Sequence, residues 1–323
     1  MSESTAHPTP ANPVPGATSA TMQDVDVAGA VPDKPGPPLA ATAKRRLTSP
    51  WASLFAVILA VLWTTPTLGL LITSFRPQED INDTGWWTVL SNPSFTMENY
   101  QTVLDPDKSS ALGPYFINSI VITIPAVIAP VLLATLAAYA FAWTSFRGKN
   151  ILFVAVFALQ VVPIQVTLLP LLTLYVDAGI SGTFWAIWIS HTAFGLPLAV
   201  FLMHNFMREI PGELIEAARV DGAGHVTIFF RMMLPMLKPA IAAFGIYQFL
   251  WVWNDLLVAL TFAGPGAATA PLTKALFDLA GTRGNAWYLL SAGAFVSMIV
   301  PVIVFLSLQR YFVRGLLAGS VKG

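Results

Sequence analysis

The residues able to do acid–base, nucleophilic or metal chemistry are few and scattered. The four histidines are His7, His191, His204 and His225, and no two stand at a metal-ligand spacing. Neither an H-E-x-x-H nor a G-x-S-x-G sequence occurs. Gly148–Lys149 lacks the upstream glycine of a phosphate-binding loop. The absence of cysteine excludes disulfides, thiolate metal sites and a cysteine nucleophile. No catalytic constellation is assembled from this set, so the chain is expected to be non-catalytic, without a metal or cofactor of its own. Basic and acidic residues both number 17, a balance that argues against a nucleic-acid partner.

One carboxylate, Asp255, falls inside a long apolar run, in the sequence Trp251-Val-Trp253-Asn254-Asp255. An acid in lipid is expensive and points to function by default. It would sit roughly 22 Å along a helix starting at Ala240 at 1.5 Å per residue, near an interface where tryptophans also collect. It therefore reads as an interfacial aspartate that meets water or a partner chain. Trp253, Asn254 and Asp255 are the candidate pathway or outer gate. His191, alone in another run, reads as a helix–helix hydrogen-bonding residue. Gln165, Thr167 and Asn205 are polar but carry no assignable role.

The segment Met207–Pro239 is the informative one. Pro211 suits a helix's first turn, and Glu213 and Glu216 complement its positive end. Leu214, Ala217 and Ala218 fall on one face at helical spacing. Asp221-Gly222 is a stop signal, with glycine free to take a positive φ. A second short helix would begin near His225 or Val226 and continue through Phe230, with Pro235 and Pro239 turning the chain back. The segment is expected to be two short helices meeting at a glycine elbow that another protein can approach closely, the alternative being an amphipathic pair lying flat on the membrane.

Positioning these residues falls to six apolar runs, near Trp51–Ser74, Phe116–Trp143, Asn150–Leu174, Thr183–Phe206, Ala240–Phe262 and Tyr288–Tyr311. Each has about the 20 residues a membrane helix needs, and backbone satisfied internally in lipid is helical. The whole chain, 323 residues at 55% hydrophobic and 11% charged, fits one polytopic all-α membrane domain. Pro66, Pro125, Pro130, Pro163, Pro170, Pro197 and Pro301 interrupt the runs. Residues 1–50 hold nine of the 25 prolines and no aromatic residue, and are expected to be a disordered tail. The first run, longer than a signal-peptide core, reads as an uncleaved span.

Lys and Arg divide unevenly between the two sides. Lys34, Lys44, Arg45, Arg46, Arg147, Lys149, Arg208, Arg219, Arg231, Lys238, Arg310, Arg314 and Lys322 fall on one side; Arg76, Lys108, Lys274 and Arg283 fall on the other. The basic side is cytoplasmic by the positive-inside rule, which puts both termini and the segment Met207–Pro239 in the cytoplasm.

Glu216-Ala217-Ala218-x-x-Asp221-Gly222-Ala223, followed after eight residues by Met232-x-Leu234-Pro235, resembles the EAA loop of bacterial ABC importer permeases. Met232 departs mildly from the family pattern, which has Ile or Leu there. Tyr115-Phe-Ile-Asn118-Ser119, Glu98-Asn99-Tyr100, Trp253-Asn254-Asp255 and the terminal Gly315-Leu-Leu-Ala-Gly319-Ser-Val-Lys322-Gly323 are similar to the MalG-like permeases of carbohydrate uptake. The likeness covers roughly Leu54 to Gly323. It implies a type I permease fold with six transmembrane helices and a cytoplasmic coupling helix in a bacterial cell membrane. Residues 51–115 would be the first span and an extracytoplasmic loop, 116–311 the core with its coupling loop at 207–239, and 312–323 a cytoplasmic tail.

The resemblance further implies a MalF-like second permease, two MalK-like ATPase subunits that bind the ATP and Mg, an extracytoplasmic solute-binding protein, and a sugar as cargo. Glu216, Ala217, Ala218, Asp221, Gly222, Ala223, Leu234 and Pro235 would couple to the ATPase. Gly315, Gly319 and Lys322 would lie at its interface. Gly222→Asp is expected to uncouple hydrolysis from transport, a β-carbon at a positive-φ elbow being expected to clash. The competing expectations are an ABC permease for a non-sugar solute, a secondary transporter working alone, and a membrane anchor.

Overall fold

The computed structural model describes residues 50–83, 85–282 and 286–318. Two compact units divide the chain, Met1–Ala60 and Val61–Gly323. Of the first, residues 50–60 are described and are exposed helix. The expected tail at 1–50 lies, except for Pro50, outside the described residues, as do Gly319 and Lys322.

Helix α1 is Pro50–Ser74, followed by the short α2, Gln78–Asp83, and α3, Glu98–Leu104. Two long helices build the centre: α4, Gly113–Trp143, and α7, Phe184–Arg208. Between them lie α5, Lys149–Ala158, and α6, Ile164–Asp177. Then come α8, Gly212–Val220, and α9, His225–Met236. The chain continues through α10, Lys238–Trp253, α11, Leu257–Phe262, α12, Leu272–Thr282, and α13, Trp287–Ala318. Among the described residues extended pairing is limited to one isolated bridge, Gly182 to Ala263.

Among the described residues four helices are long and apolar enough to span a membrane: α1, α4, α7 and α13. The count reaches six if each of two bent pairs is one span. The pair α5–α6 is bent by 102° and α9–α10 by 68°. The third run, expected to be interrupted by Pro163 and Pro170, is broken outright at the first of them and continuous through the second. Pro163 has no N–H and drives Val162 to an extended ψ of 120, so the helix stops and restarts. The other six prolines singled out above stay inside helices. The fifth run is corrected: α10 ends at Trp253, and a break at residues 254–256 precedes α11.

The core sits along α4 and α7, which pack on each other, with α10 against α4 and α13. Ala126, Ala134, Ala138, Ala186 and Ala199 are fully buried along this seam, small side chains that let helix backbones close up where lipid supplies no hydrophobic drive between them. A close approach occurs at Gly195. A β-carbon there would fall 2.6 Å from Gln248 Oε1. Gln248 is wholly buried, and its Nε2 donates to the carbonyls of Ala126 and His191 at 3.2 Å each. One amide thus ties α10 to both central helices. By contrast α1 buries only Gly69 and Ser74 and leaves Trp51, Leu62 and Trp63 exposed, a surface suited to hydrocarbon.

Candidate functional site

Helix α8 begins just after Pro211 and ends in a turn that glycine makes feasible. Gly222 has φ +81. Its N–H donates to Arg219 O at 3.0 Å, and the N–H of Ala223 to Ala218 O at 2.9 Å. This nested pair is the Schellman arrangement, with glycine at the left-handed position. The glycine elbow between two short helices is as expected. A β-carbon at Gly222 would meet nothing within 4 Å, so the expected clash is corrected: the penalty is backbone strain, not collision.

The second helix differs from expectation. It runs to Met236, past Phe230 and through Pro235, and the reversal comes at Leu237–Lys238. Pro235 has no N–H to give, and the ladder widens to a π turn over Phe229–Met233 just before it.

The face of α8 that packs inward is carried by Ile215, 2% exposed, and Ala218, 9% exposed. They join Met203 and Met207 of α7, Tyr139 and Phe141 of α4, and Ile228, Phe229 and Met233 of α9. Leu214 and Ala217, expected on one face with Ala218, point outward instead. Glu216, Asp221, Gly222 and Pro235 are exposed, and Ala223 and Leu234 half-buried. No described residue pairs with the Glu216 carboxylate. The outer surface of the elbow therefore offers three exposed acids, Glu213, Glu216 and Asp221, beside Leu214, Val220 and Val226, all exposed.

Tyr139 roots this pair of helices in the bundle. Its hydroxyl meets His225 Nδ1 at 2.9 Å, and its ring packs edge-on against Phe229 with centroids 5.3 Å apart. Tyr139→Phe is expected to cost about 1 kcal/mol, the net worth of one such bond. Thermal unfolding of the purified protein should start about 2 °C lower; an unchanged midpoint would remove Tyr139 from the anchoring role.

The second candidate set lies at the break after α10. Trp253 is buried; its Nε1 donates to Ser297 O at 3.1 Å, and Phe116 and Phe249 flank its ring. Asn254 is exposed and donates to Leu250 O. Asp255 Oδ2 accepts from the N–H groups of Val258 and Ala259 at 3.0 and 3.2 Å. It thus caps α11, satisfying donors that a helix start leaves open. Its Oδ2 lies 3.8 Å from His191 Nε2. Thr167 turns its hydroxyl back to Ile164 O, while Gln165 and Asn205 are exposed.

Asn118 and Ser119, noted in the sequence only as part of a pattern, clamp the strand of chain after α11. Asn118 Nδ2 donates to Ala267 O and Ala270 O at 2.8 and 3.0 Å; the N–H of Leu272 donates to Ser119 Oγ at 2.8 Å. Asn99 likewise donates to Ser74 O and Arg76 O, and Tyr100 OH meets Ser74 Oγ, so Glu98-Asn99-Tyr100 fastens the end of α1. Sequence reasoning missed Tyr139 and Gln248. Each is a polar side chain within an apolar run, a signal shared with Thr123, Thr135 and Tyr247 in the same runs. Among the described residues no group of three His, Asp or Glu could hold a metal. Helix α13 carries Gly315, so the expected tail at 312–323 begins within a helix.

Residues 130–317 match the family of binding-protein-dependent transport system inner membrane components. The osmoprotective compounds uptake permease protein GgtD of Synechocystis sp. is 53% identical over 268 residues, which are 82% of this chain and 89% of that one. The alpha-glucoside transport system permease protein AglG of Rhizobium meliloti is 37% identical, covering 86% of this chain and 99% of its own. Among solved structures, a chain of the bacterial ABC transporter that imports the acidic polysaccharide alginate superposes with a TM-score of 0.65 at 20% identity. That match covers 86% of this chain and all of that one. This last likeness concerns the fold.

Proposed function

The chain belongs to the family of binding-protein-dependent transport system inner membrane components, and from that premise we propose that it is one permease subunit of an ATP-driven importer for a sugar. The single observation that carries the reading is the elbow between α8 and α9: exposed on its outer surface, fastened on its inner one. An element exposed on one side and fastened on the other suits a partner seated on its exposed face. A MalF-like permease and two MalK-like ATPase copies, which bind the ATP and Mg, complete the membrane complex. An extracytoplasmic binding protein delivers the cargo. The names of the relatives, which include an alpha-glucoside and a melibiose/raffinose/stachyose permease, support a mono-, di- or oligosaccharide, with an α-glucoside as the first candidate.

In this reading the elbow enters a cleft of the ATPase. Glu216 makes a charged or hydrogen-bonded contact there, and Ala217, Asp221, Gly222 and Ala223 allow close approach. Ala218, Leu234 and Pro235 hold the pair in shape. ATP-driven closure draws the elbow inward. Ile215, Ala218 and Tyr139 pass the displacement to α4 and α7, and the bundle changes between two discrete packings. Gly315, Gly319 and Lys322 extend the ATPase contact from the C-terminal end. At the opposite end Trp253 and Asp255 hold the break in α10–α11, leaving Asn254 as the member that faces the pathway.

The orientation puts the elbow and both termini in the cytoplasm. The chain has no native cysteine, so single introduced thiols report sidedness. Val226→Cys should react with a membrane-impermeant maleimide only in inside-out vesicles, and Lys108→Cys only in right-side-out ones; the reverse pattern would invert the topology. The complex itself is tested by affinity purification of the tagged chain from its native membrane. A second permease, an ATPase and a sugar-binding protein should come with it, and the binding protein should take up an α-glucoside. A chain that repeatedly purifies alone would refute the importer reading in favour of an independent transporter.

A further inference from the structure

A crevice of about 530 Å³ opens where the end of α4, the start of α5 and the end of α7 converge, lined by Phe141, Lys149, Asn150, Phe153, His204 and Arg208 among others. No carboxylate lines it. Among the described residues no acid pairs with Lys149 or Arg208; Lys149 Nζ donates only to Thr144 O. Two cations therefore face one cavity without a counter-charge.

A second observation is independent of this charge. His204 is 8% exposed, its ring lies against Phe153 at 4.3 Å between centroids, and among the described residues its buried Nδ1 has no hydrogen-bond partner. A buried imidazole nitrogen without a partner is a site still owed one. The crevice also takes in the first turn of α5, where the N–H groups of Lys149 and Leu152 donate to Phe146 O and Gly148 O and those of Asn150 and Ile151, at the positive end of the helix, favour a negative charge.

The remaining walls are apolar, and beyond them the outer face of α5 continues as exposed Ile151, Leu152, Val154 and Phe157. A soluble phosphate would use the basic pole and ignore this face. A molecule with a phosphate at one end and hydrocarbon at the other would use both.

We propose that this crevice seats the phosphate of an anionic membrane lipid, with Lys149 and Arg208 on its charge, His204 at its rim and the acyl chains along α5. The proposal rests on the orientation given above, which places this end of α4, α5 and α7 at the inner leaflet. Anionic lipid there is drawn to basic side chains at the membrane surface.

The test uses the protein purified from its native membrane with whatever accompanies it, washed in detergent and exposed to an equal mixture of phosphatidylglycerol and phosphatidylcholine. Native mass spectrometry then counts the lipids retained. The wild type should keep phosphatidylglycerol in preference to phosphatidylcholine. Lys149→Ala/Arg208→Ala should bind it about thirtyfold more weakly, each cation near an anionic surface contributing a factor of about five. Lys149→Arg/Arg208→Lys should restore it.

Equal retention by the double alanine variant would overturn the proposal, as would equal retention of the zwitterionic lipid. Displacement of the lipid by millimolar inorganic phosphate would assign the crevice to a free oxyanion instead. Loss of the second permease rather than lipid in the double variant would make this face a subunit contact and also overturn it. The same spectra report whether an ATPase accompanies the chain. Lipid retained without an ATPase would sink the importer reading and leave the lipid site standing.

Discussion

Gly222→Val lowers uptake of the labelled sugar roughly tenfold to a hundredfold, because a strained backbone position costs on the order of 1–3 kcal/mol and each 1.4 kcal/mol is a factor of ten. The φ of +81 at this residue is open to glycine and closed to a β-branched side chain. The surrounding space is empty, with no atom within 4 Å of where a β-carbon would stand. The strain can therefore be relieved only by opening the turn between α8 and α9. Opening it breaks the paired N–H bonds of Gly222 and Ala223 and moves the exposed Glu216 off its mark. The chain should still reach the membrane at its normal level, since Gly222 supports none of the spans. ATP hydrolysis in the assembled complex should continue without uptake. A graded series sharpens the test: Gly222→Asn, which tolerates the left-handed region, should do least harm, alanine more, valine most. Wild-type uptake by the valine variant would end the case for the elbow as the coupling element.

Gly195→Val strikes stability instead, by on the order of 3 kcal/mol or more, combining overpacking with two lost hydrogen bonds in a buried site. The β-carbon alone would lie 2.6 to 2.9 Å from the Gln248 amide, and Gln248 has no exposed surface into which to retreat. Its displacement forfeits the bonds to Ala126 and His191, which join α10 to α4 and α7. Gln248→Ala in the same chain should recover part of the loss by vacating the space. The measurement is a thermal midpoint for wild type, both single variants and the pair. Strictly additive midpoints would mean that Gly195 and Gln248 do not meet.

The membrane-spanning regions could be located from sequence because hydrocarbon imposes a one-dimensional requirement, a sufficiently long apolar run, and α1, α4, α7 and α13 meet it. Breaks were harder to see. Pro125, Pro130 and Pro197 remain within helices while Pro163, flanked by Gln160 and Gln165, ends one; a proline alone does not say which of the two it will do. Asp255 shows the same gap. Its burial cost was visible, but its role as a cap depended on a helix restarting at Leu257, which an unbroken apolar run conceals. The elbow was visible because its cues are local: proline before, acid in the first turn, glycine after. Its inward face was not, since Leu214 and Ile215 are equally apolar and only tertiary contact with Met203, Met207 and Tyr139 decides between them.

The division of α8 into an inward pair, Ile215 and Ala218, and an outward remainder separates what keeps the fold from what chooses a companion. Substitutions at Leu214, Glu216, Ala217 or Val220 fall on exposed positions, where stability usually changes by no more than about 0.5 kcal/mol. That surface can drift, generation by generation, without unsettling the bundle beneath it. In the proposed importer, a change there would alter how the chain meets its ATPase while the scaffold beneath stays fixed.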